Sequence, residues 1–429
     1  MSFKDSIKVQ VFSRLATANL KASRTQSLPT DQPNIEQKKT LKPSLPVRFG
    51  VVSFLNDCSS EILTRSLPLF LTVSLGVNPT ILGLIEGVAE TTTILVTAFS
   101  GWISDRMPSR KPLVTLGYSL SALGRTLMFF TSVVPLLAAA RVLDRIGKGV
   151  RTAPRDALIA DDSHRKNVGR AFGIARSLDT IGAVSGLSIA IIMGVGSSEM
   201  STDLFQRMLM TSIPFAWFAV VVLLLWVPNI PRQTQAKTYL AWHIPQEIKP
   251  LLFAIMIFAL GSSSDAFLAL RAKEVGFDFG SILGLFILYN AMASVVGWLA
   301  GQWSDRFGRR RFLLLGWFVY AICYFTMAMT GDRNIFAIGF VCFGAFYGLT
   351  EGVEKALLSD LLPARKRGLG YGAFQTVLAL VAIPANLMTG WLAAKFNLGF
   401  ALFVSGIFSM LGVFVLVFIY KKLKPLNLE

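Results

Sequence analysis

From residue 47 onward the chain alternates long apolar runs with short polar breaks. A helix needs about 20 apolar residues to cross a bilayer. Twelve candidate stretches follow one another, at 47–75, 80–103, 112–133, 135–158, 170–195, 207–228, 250–271, 281–303, 312–330, 335–358, 369–395 and 398–420. Runs such as 215–226 and 401–420 have no polar face to turn toward water, which argues against a soluble helical protein. The predicted fold class is an all-α membrane protein with twelve transmembrane helices in two six-helix bundles. The predicted divisions are a polar basic tail (1–46), an N-terminal bundle (47–228), a central linker (229–248), a C-terminal bundle (249–420) and a short tail (421–429).

Composition agrees. The 429 residues are 53% hydrophobic and 16% charged, against about 25% charged in soluble domains, and the mean hydropathy is +0.56. The net charge of +17 could suggest nucleic acid, but its distribution argues for none. Arg106, Arg110 and Lys111, then Arg165 and Lys166, then Arg306 and Arg309 to Arg311, then Arg365 to Arg367 fall in alternate loops. The intervening loops are nearly free of positive charge, the positive-inside pattern. It predicts a multi-pass inner (plasma) membrane protein with both termini cytoplasmic. Three cysteines, all in apolar runs, and two histidines in predicted loops imply no metal site, no cofactor and no His-based catalysis. The tail lacks the apolar core of a signal peptide; its Ile7–Leu20 stretch has a weak helical period.

One motif occurs twice. Gly101-Trp-Ile-Ser-Asp105-Arg106-Met-Pro-Ser-Arg110-Lys111 matches Gly301-Gln-Trp-Ser-Asp305-Arg306-Phe-Gly-Arg-Arg310-Arg311 at an offset of 200. Residues 157–173 parallel 356–372 at an offset of 199, and Ser59-Ser60-Glu61 resembles Ser263-Ser264-Asp265. Ordered matches at nearly one offset imply two structural repeats, a transporter architecture.

These residues resemble the major facilitator superfamily, whose loop between helices 2 and 3 reads G-x-x-x-D-R-x-x-x-R-K/R. Residues 145–161, with Arg151, Arg155 and Asp156, resemble a prokaryotic subgroup carrying G-K-G-x-R-x-x-P-R-D-A-L-I-A-D there. The resemblance implies that the loop charges latch helix 2 to its neighbours and gate the cytoplasmic side. It assigns Gly101, Asp105, Arg106, Arg110 and Lys111 to that gate, with Gly301, Asp305, Arg306, Arg310 and Arg311 as its counterpart, and the expected gate also includes Arg151, Arg155 and Asp156 on helix 4. Antiporters of the family often carry Gly-Pro in helix 5. Here Gly186 is followed by Leu187, although Gly182 and Gly186 keep a small face for close helix approach.

Ionisable residues at membrane depth are costly and mark pathways. Asp57, Glu61 and Arg65 share one face of helix 1, and Glu61 lies about 20 Å along it at 1.5 Å per residue. Glu86 and Glu90 are one turn apart on helix 2. Arg141, Asp144, Arg145, Lys148, Arg151 and Arg155 form a basic stripe down helix 4. One acid cannot neutralise five bases, so the surplus meets acids on other helices or an anionic ligand. Asp179, Asp265 and Glu351 add charges on helices 5, 7 and 10. The expected function is secondary transport of a small polar or charged molecule by alternating access. Protons are the expected coupling ion, through Asp57, Glu61 or Glu90. The resemblance favours export. Uptake of an organic anion is the rival, and a receptor that transports nothing is a third reading. The expected partners are the lipid bilayer, a small-molecule substrate and protons, in a monomer that is not an enzyme.

Overall fold

The structure is a computed structural model describing residues 44–162, 168–195, 197, 200–230, 244–363 and 366–419. The amphipathic stretch of the tail, both histidines, and Arg165, Lys166 and Arg365 lie outside the described residues. Twelve helical elements follow. The first half comprises α1 (Leu45–Thr64, continued by Leu67–Leu69 and a π-turn at Phe70–Ser74), α2 (Pro79–Ser104), α3 (Lys111–Phe129), α4 (Val134–Asp162), α5 (Val168–Gly194) and α6 (Thr202–Trp226). The second comprises α7 (Lys249–Leu260 and, after a break, Asp265–Glu274), α8 (Phe279–Phe307), α9 (Arg309–Met329), α10 (Arg333–Leu361), α11 (Arg367–Lys395) and α12 (Leu398–Ile419).

Nine of these, among the described residues, are long and apolar enough to cross a membrane. The three that fall short are α1, α3 and α4. α1 is interrupted and α4 is crowded with charge, and both carry ionic groups of the site described below.

Helix starts differ between the two ends. α2, α6, α8 and α10 open on Asn78, Ser201, Asp278 and Asp332, whose side chains accept backbone N–H bonds in the first turn; Asn397 does the same for α12. These caps satisfy donors that a helix leaves unpaired. No side chain caps α1, α3, the first piece of α7, or α11, which begin among the basic segments.

Two spans read as continuous in the sequence are broken. In α1, Pro68 has no N–H to return to Thr64, and Ser66 donates instead to the Ile62 carbonyl at 2.6 Å. In α7, Gly261–Ser264 interrupts the helix, and Ser264 recaps it by accepting from the Ala266 N–H at 3.3 Å.

α1 packs on α5, where a Cβ on Gly182 or Gly186 would meet the α1 backbone at Phe54 and Cys58. The halves meet along α2–α11 and α5–α8. Both contacts are tightest at the end of the capped helix starts. Gly83 and Gly87 face the backbone at Asn386 and Ile383, Gly390 faces Pro79, and Gly194 faces Phe279. At the basic end, Cβ atoms on Gly173, Gly301, Gly352 and Gly372 would meet nothing within 4 Å.

Candidate functional site

The two helix breaks face each other across a cavity of about 390 Å³ between the halves. α1 supplies Ser60, Glu61, Thr64 and Arg65, α2 supplies Glu86, Glu90 and Thr93, and α4 supplies Arg141, Arg145 and Lys148. The opposite wall is the α7 break, Ser262 to Asp265, with Phe286 and Tyr347. Eight of the lining side chains are ionisable acids or bases of the kind that mark membrane pathways.

Within this wall, Arg65 pairs with Glu61 (3.3 Å) on its own helix and with Asp265 (2.7 Å) across the halves, and its guanidinium lies over the Phe286 ring at 4.1 Å. Arg141 reaches Glu86 at 3.3 Å and lies 4.0 Å from Asp144. Glu86 also accepts from the Ser264 hydroxyl at 3.4 Å. Glu90 accepts from the Asn386 amide at 3.2 Å. Asn386 is fully buried, and its carbonyl oxygen accepts from the Ser264 N–H at 2.7 Å. One asparagine on α11 thus links the α7 break to a carboxylate on α2. Glu90, Arg145 and Lys148 form no ion pair with any other described residue.

Behind the cavity lies a buried group that the sequence reading passed over. Arg125, on α3, is 2% exposed. It pairs with Asp144 at 3.2 Å and donates to the Ser59 hydroxyl at 2.7 Å and the Asn56 carbonyl at 3.3 Å. Ser59 in turn bonds Ser212 on α6. A lone cation in the middle of an apolar span was signal enough to find it. At the repeat offset of 199, Arg125 and Asp144 correspond to Tyr324 and Phe343, whose rings lie 5.5 Å apart. Tyr324 bonds Ser263 at 3.3 Å, as Arg125 bonds Ser59. Lys148 corresponds to Tyr347, and both line the cavity. The repeats therefore build the same frame with ions in one half and aromatic rings in the other.

Asp57 does not line the cavity; it accepts from the neighbouring Asn56 amide at 3.0 Å. Lower on α4, Arg151 donates to Ser121 at 2.5 Å and stacks over Tyr118 at 4.7 Å. Arg155 binds Asp156 (3.1 Å), Asp179 (3.5 Å) and the Ser53 hydroxyl (2.8 Å). Arg155 is thus neutralised within the first half, whereas Arg151 is held by a hydroxyl and a ring.

Each motif copy is tied into its own half. Arg110 bridges Asp105 (2.9 Å) and Asp161 (2.8 Å), joining α2, α3 and α4. Gly101 permits that approach, since a Cβ there would lie 3.3 Å from Ala153. Lys111 donates to the Leu224 and Val227 carbonyls at the end of α6, and Arg106 stacks on Trp102 at 3.8 Å. In the second copy Arg309, not Arg310, bridges Asp305 (2.8 Å) and Asp360 (2.7 Å). The second loop is one residue shorter, so the functional arginine sits at offset 199 while its aspartate sits at 200. Matching the copies at offset 200 therefore put the bridging role on Arg310 instead of Arg309, while Asp161 and Asp360, matched in the repeat, were not assigned to the gate. Arg306 lies over the Phe307 ring at 5.6 Å, and Arg311 is exposed. At the basic end an exposed pair, Arg176–Glu351 at 3.1 Å, joins the halves.

The sequence profile of the Major Facilitator Superfamily matches residues 49–300 and 251–428. An uncharacterised transporter of that type from Methanocaldococcus jannaschii is 32% identical over 84% of this chain and 91% of its own length. The multidrug resistance protein MdtH of Photorhabdus laumondii is 24% identical over 77% of this chain and 81% of its own. Among solved structures, the nucleoside transporter NupG superposes with a TM-score of 0.72 at 13% identity, over 88% of this chain and all of that one. A D-xylose–proton symporter does so at 0.64 and 19% identity, over 89% and 98%.

Proposed function

The chain belongs to the major facilitator superfamily, and from that premise we propose that it carries a small polar or charged molecule across the inner membrane by alternating access, coupled to protons. It is a membrane transporter rather than an enzyme. The observation that carries the proposal is the ionic cavity between the halves. Backbone-tight helix contacts lie on one side of it, and the exposed Arg176–Glu351 pair spans the halves on the other. Halves at 47–228 and 249–420 would rock about this cavity. The motif copies, at the cytoplasmic face, would hold each half rigid as it moves.

Proton coupling rests on carboxylates at membrane depth. Glu90 is the first candidate, because it lines the cavity with no cation bonded to it, whereas Glu61 is held by Arg65. Asp57 is the third. Export is the first direction, supported by relatives named multidrug resistance proteins. Uptake is the second, supported by the fold shared with a proton symporter.

Proteoliposomes with a pH-sensitive dye inside test the coupling when challenged with fractions of a cell extract. Active fractions should move protons through the native chain. Glu90→Gln should abolish gradient-driven flux while leaving counterflow exchange largely intact. Full gradient-driven flux in Glu90→Gln would transfer the coupling role to Glu61, testable with Glu61→Gln. Binding without any flux would turn the chain into a receptor.

A further inference from the structure

Resting on the transport reading above, we propose that the substrate is a small organic anion carrying a hydroxyl or amino donor, with its carboxylate or phosphate held between Arg145 and Lys148. The charge pattern points there. Of the four cations lining the cavity, Arg65 is satisfied by Glu61 and Asp265, and Arg141 by Glu86. Arg145 and Lys148 remain, one turn apart on the same face of α4, with no ion pair to any described residue. Arg145 is half-buried and Lys148 is exposed to the cavity, so both are open to a ligand, and an anion there would supply the counter-charge that both lack. Arg and Lys together suit such a head, a planar fork beside a point charge.

The donor follows from α2. The Asn386 amide reaches Oε2 of Glu90, leaving the other carboxylate oxygen to accept from the ligand. Glu90 and Arg145 lie on touching helices, since the Thr93 hydroxyl, one turn from Glu90, reaches the Arg145 carbonyl at 3.5 Å. Across the cavity the hydroxyls of Ser262 to Ser264 and the Tyr347 ring offer neutral contacts. A volume of about 390 Å³ falls toward the small end of ligand sites, about 300–1,000 Å³. A large lipophilic molecule would have to displace solvent from these charges without replacing it.

The test uses the full chain purified in nanodiscs, with melting temperature as the binding readout. L-malate, L-glutamate and gluconate probe the carboxylate arm, and glycerol 3-phosphate the phosphate arm. Putrescine and erythritol serve as the cationic and neutral comparisons. At least one anionic probe should raise the melting temperature saturably, and the comparisons should not. Arg145→Gln and Lys148→Gln should each weaken that probe about tenfold or more, the loss of a charge-assisted bond. Lys148→Arg should retain the binding, which separates ligand contact from misfolding. Stabilisation by putrescine or erythritol alone, no response to any anion, or undiminished anion binding in Arg145→Gln overturns the proposal. Anion binding without counterflow of the same labelled probe leaves the ligand class standing and overturns the transport reading instead.

Discussion

Gly87→Ala is the smallest change that should tip the two halves. A Cβ at residue 87 would lie 2.9 Å from the Ile383 Cα and 3.2 Å from the Ala382 carbonyl oxygen. Carbon atoms rest about 3.5–4.0 Å apart, so α2 and α11 would have to separate by about 0.6–1.1 Å. Both obstacles are backbone, so no rotamer change relieves them. Overpacking of this kind costs about 1–3 kcal/mol. Alanine also favours the helix over glycine by about 0.8–1 kcal/mol, but that gain is common to both states and cancels. At about 1.4 kcal/mol per tenfold, the closed contact should lose about 5- to 150-fold relative to the state in which it opens. Thr202 and Lys395, exposed at this end on opposite halves, take spin labels after Thr202→Cys, Lys395→Cys and Cys342→Ser. Pulsed electron resonance should show a longer distance component gaining weight in Gly87→Ala. Gly372→Ala lies on the same α11, where a Cβ meets nothing within 4 Å, and should leave the distribution unchanged. An unchanged distribution in Gly87→Ala would refute the reasoning, and an equal shift in Gly372→Ala would show that it is not specific to the contact.

Three further outcomes follow from the ionic frame. Arg125→Met leaves Asp144 buried without its principal partner and should cost about 3–5 kcal/mol, whereas adding Asp144→Leu should return much of it; thermal unfolding in detergent checks both, and a single variant as stable as the native chain would exclude the pair from the frame. Arg309→Gln should speed hydrogen exchange at residues 356–361 a few-fold, as expected for partly exposed pairs worth about 0.2–1 kcal/mol each, and more than Arg310→Gln does; the reverse order would return the latch to the position suggested by simple motif alignment. Asn386→Leu removes the link between Glu90 and Ser264 and should raise hydrogen exchange across the α7 break at 261–266, while unchanged protection there would mean that the break is held by other contacts.

The helices were legible because apolar runs and basic loops obey simple length and charge rules. The cavity was legible in part. Glu61, Arg65, Glu90, Arg141, Arg145, Lys148 and Asp265 announce themselves as charges in apolar runs, and all of them line it. Which charges pair was not legible, because Arg65–Asp265 spans 200 residues and depends on where α1 and α7 break. A serine run such as Ser262–Ser264 does not declare a break unless a neighbour like Asn386 takes up the freed backbone groups. The latch arginine was misplaced because a single-residue deletion in a loop leaves the motif spelling almost intact. The aromatic counterparts of the ionic frame, Tyr324 and Phe343, look like ordinary core until the repeat offset is applied to them.

The sharpest test of alternating access needs no substrate. Ser60→Cys, in a chain with Cys342→Ser, puts one thiol into the cavity wall, while Cys58 and Cys323 stay buried. A membrane-impermeant maleimide is applied to sealed vesicles of each orientation. Alternating access predicts that the same thiol is labelled from both faces, faster from the basic-loop face and slower from the other. Labelling from the basic-loop face alone, however long the exposure, would contradict it.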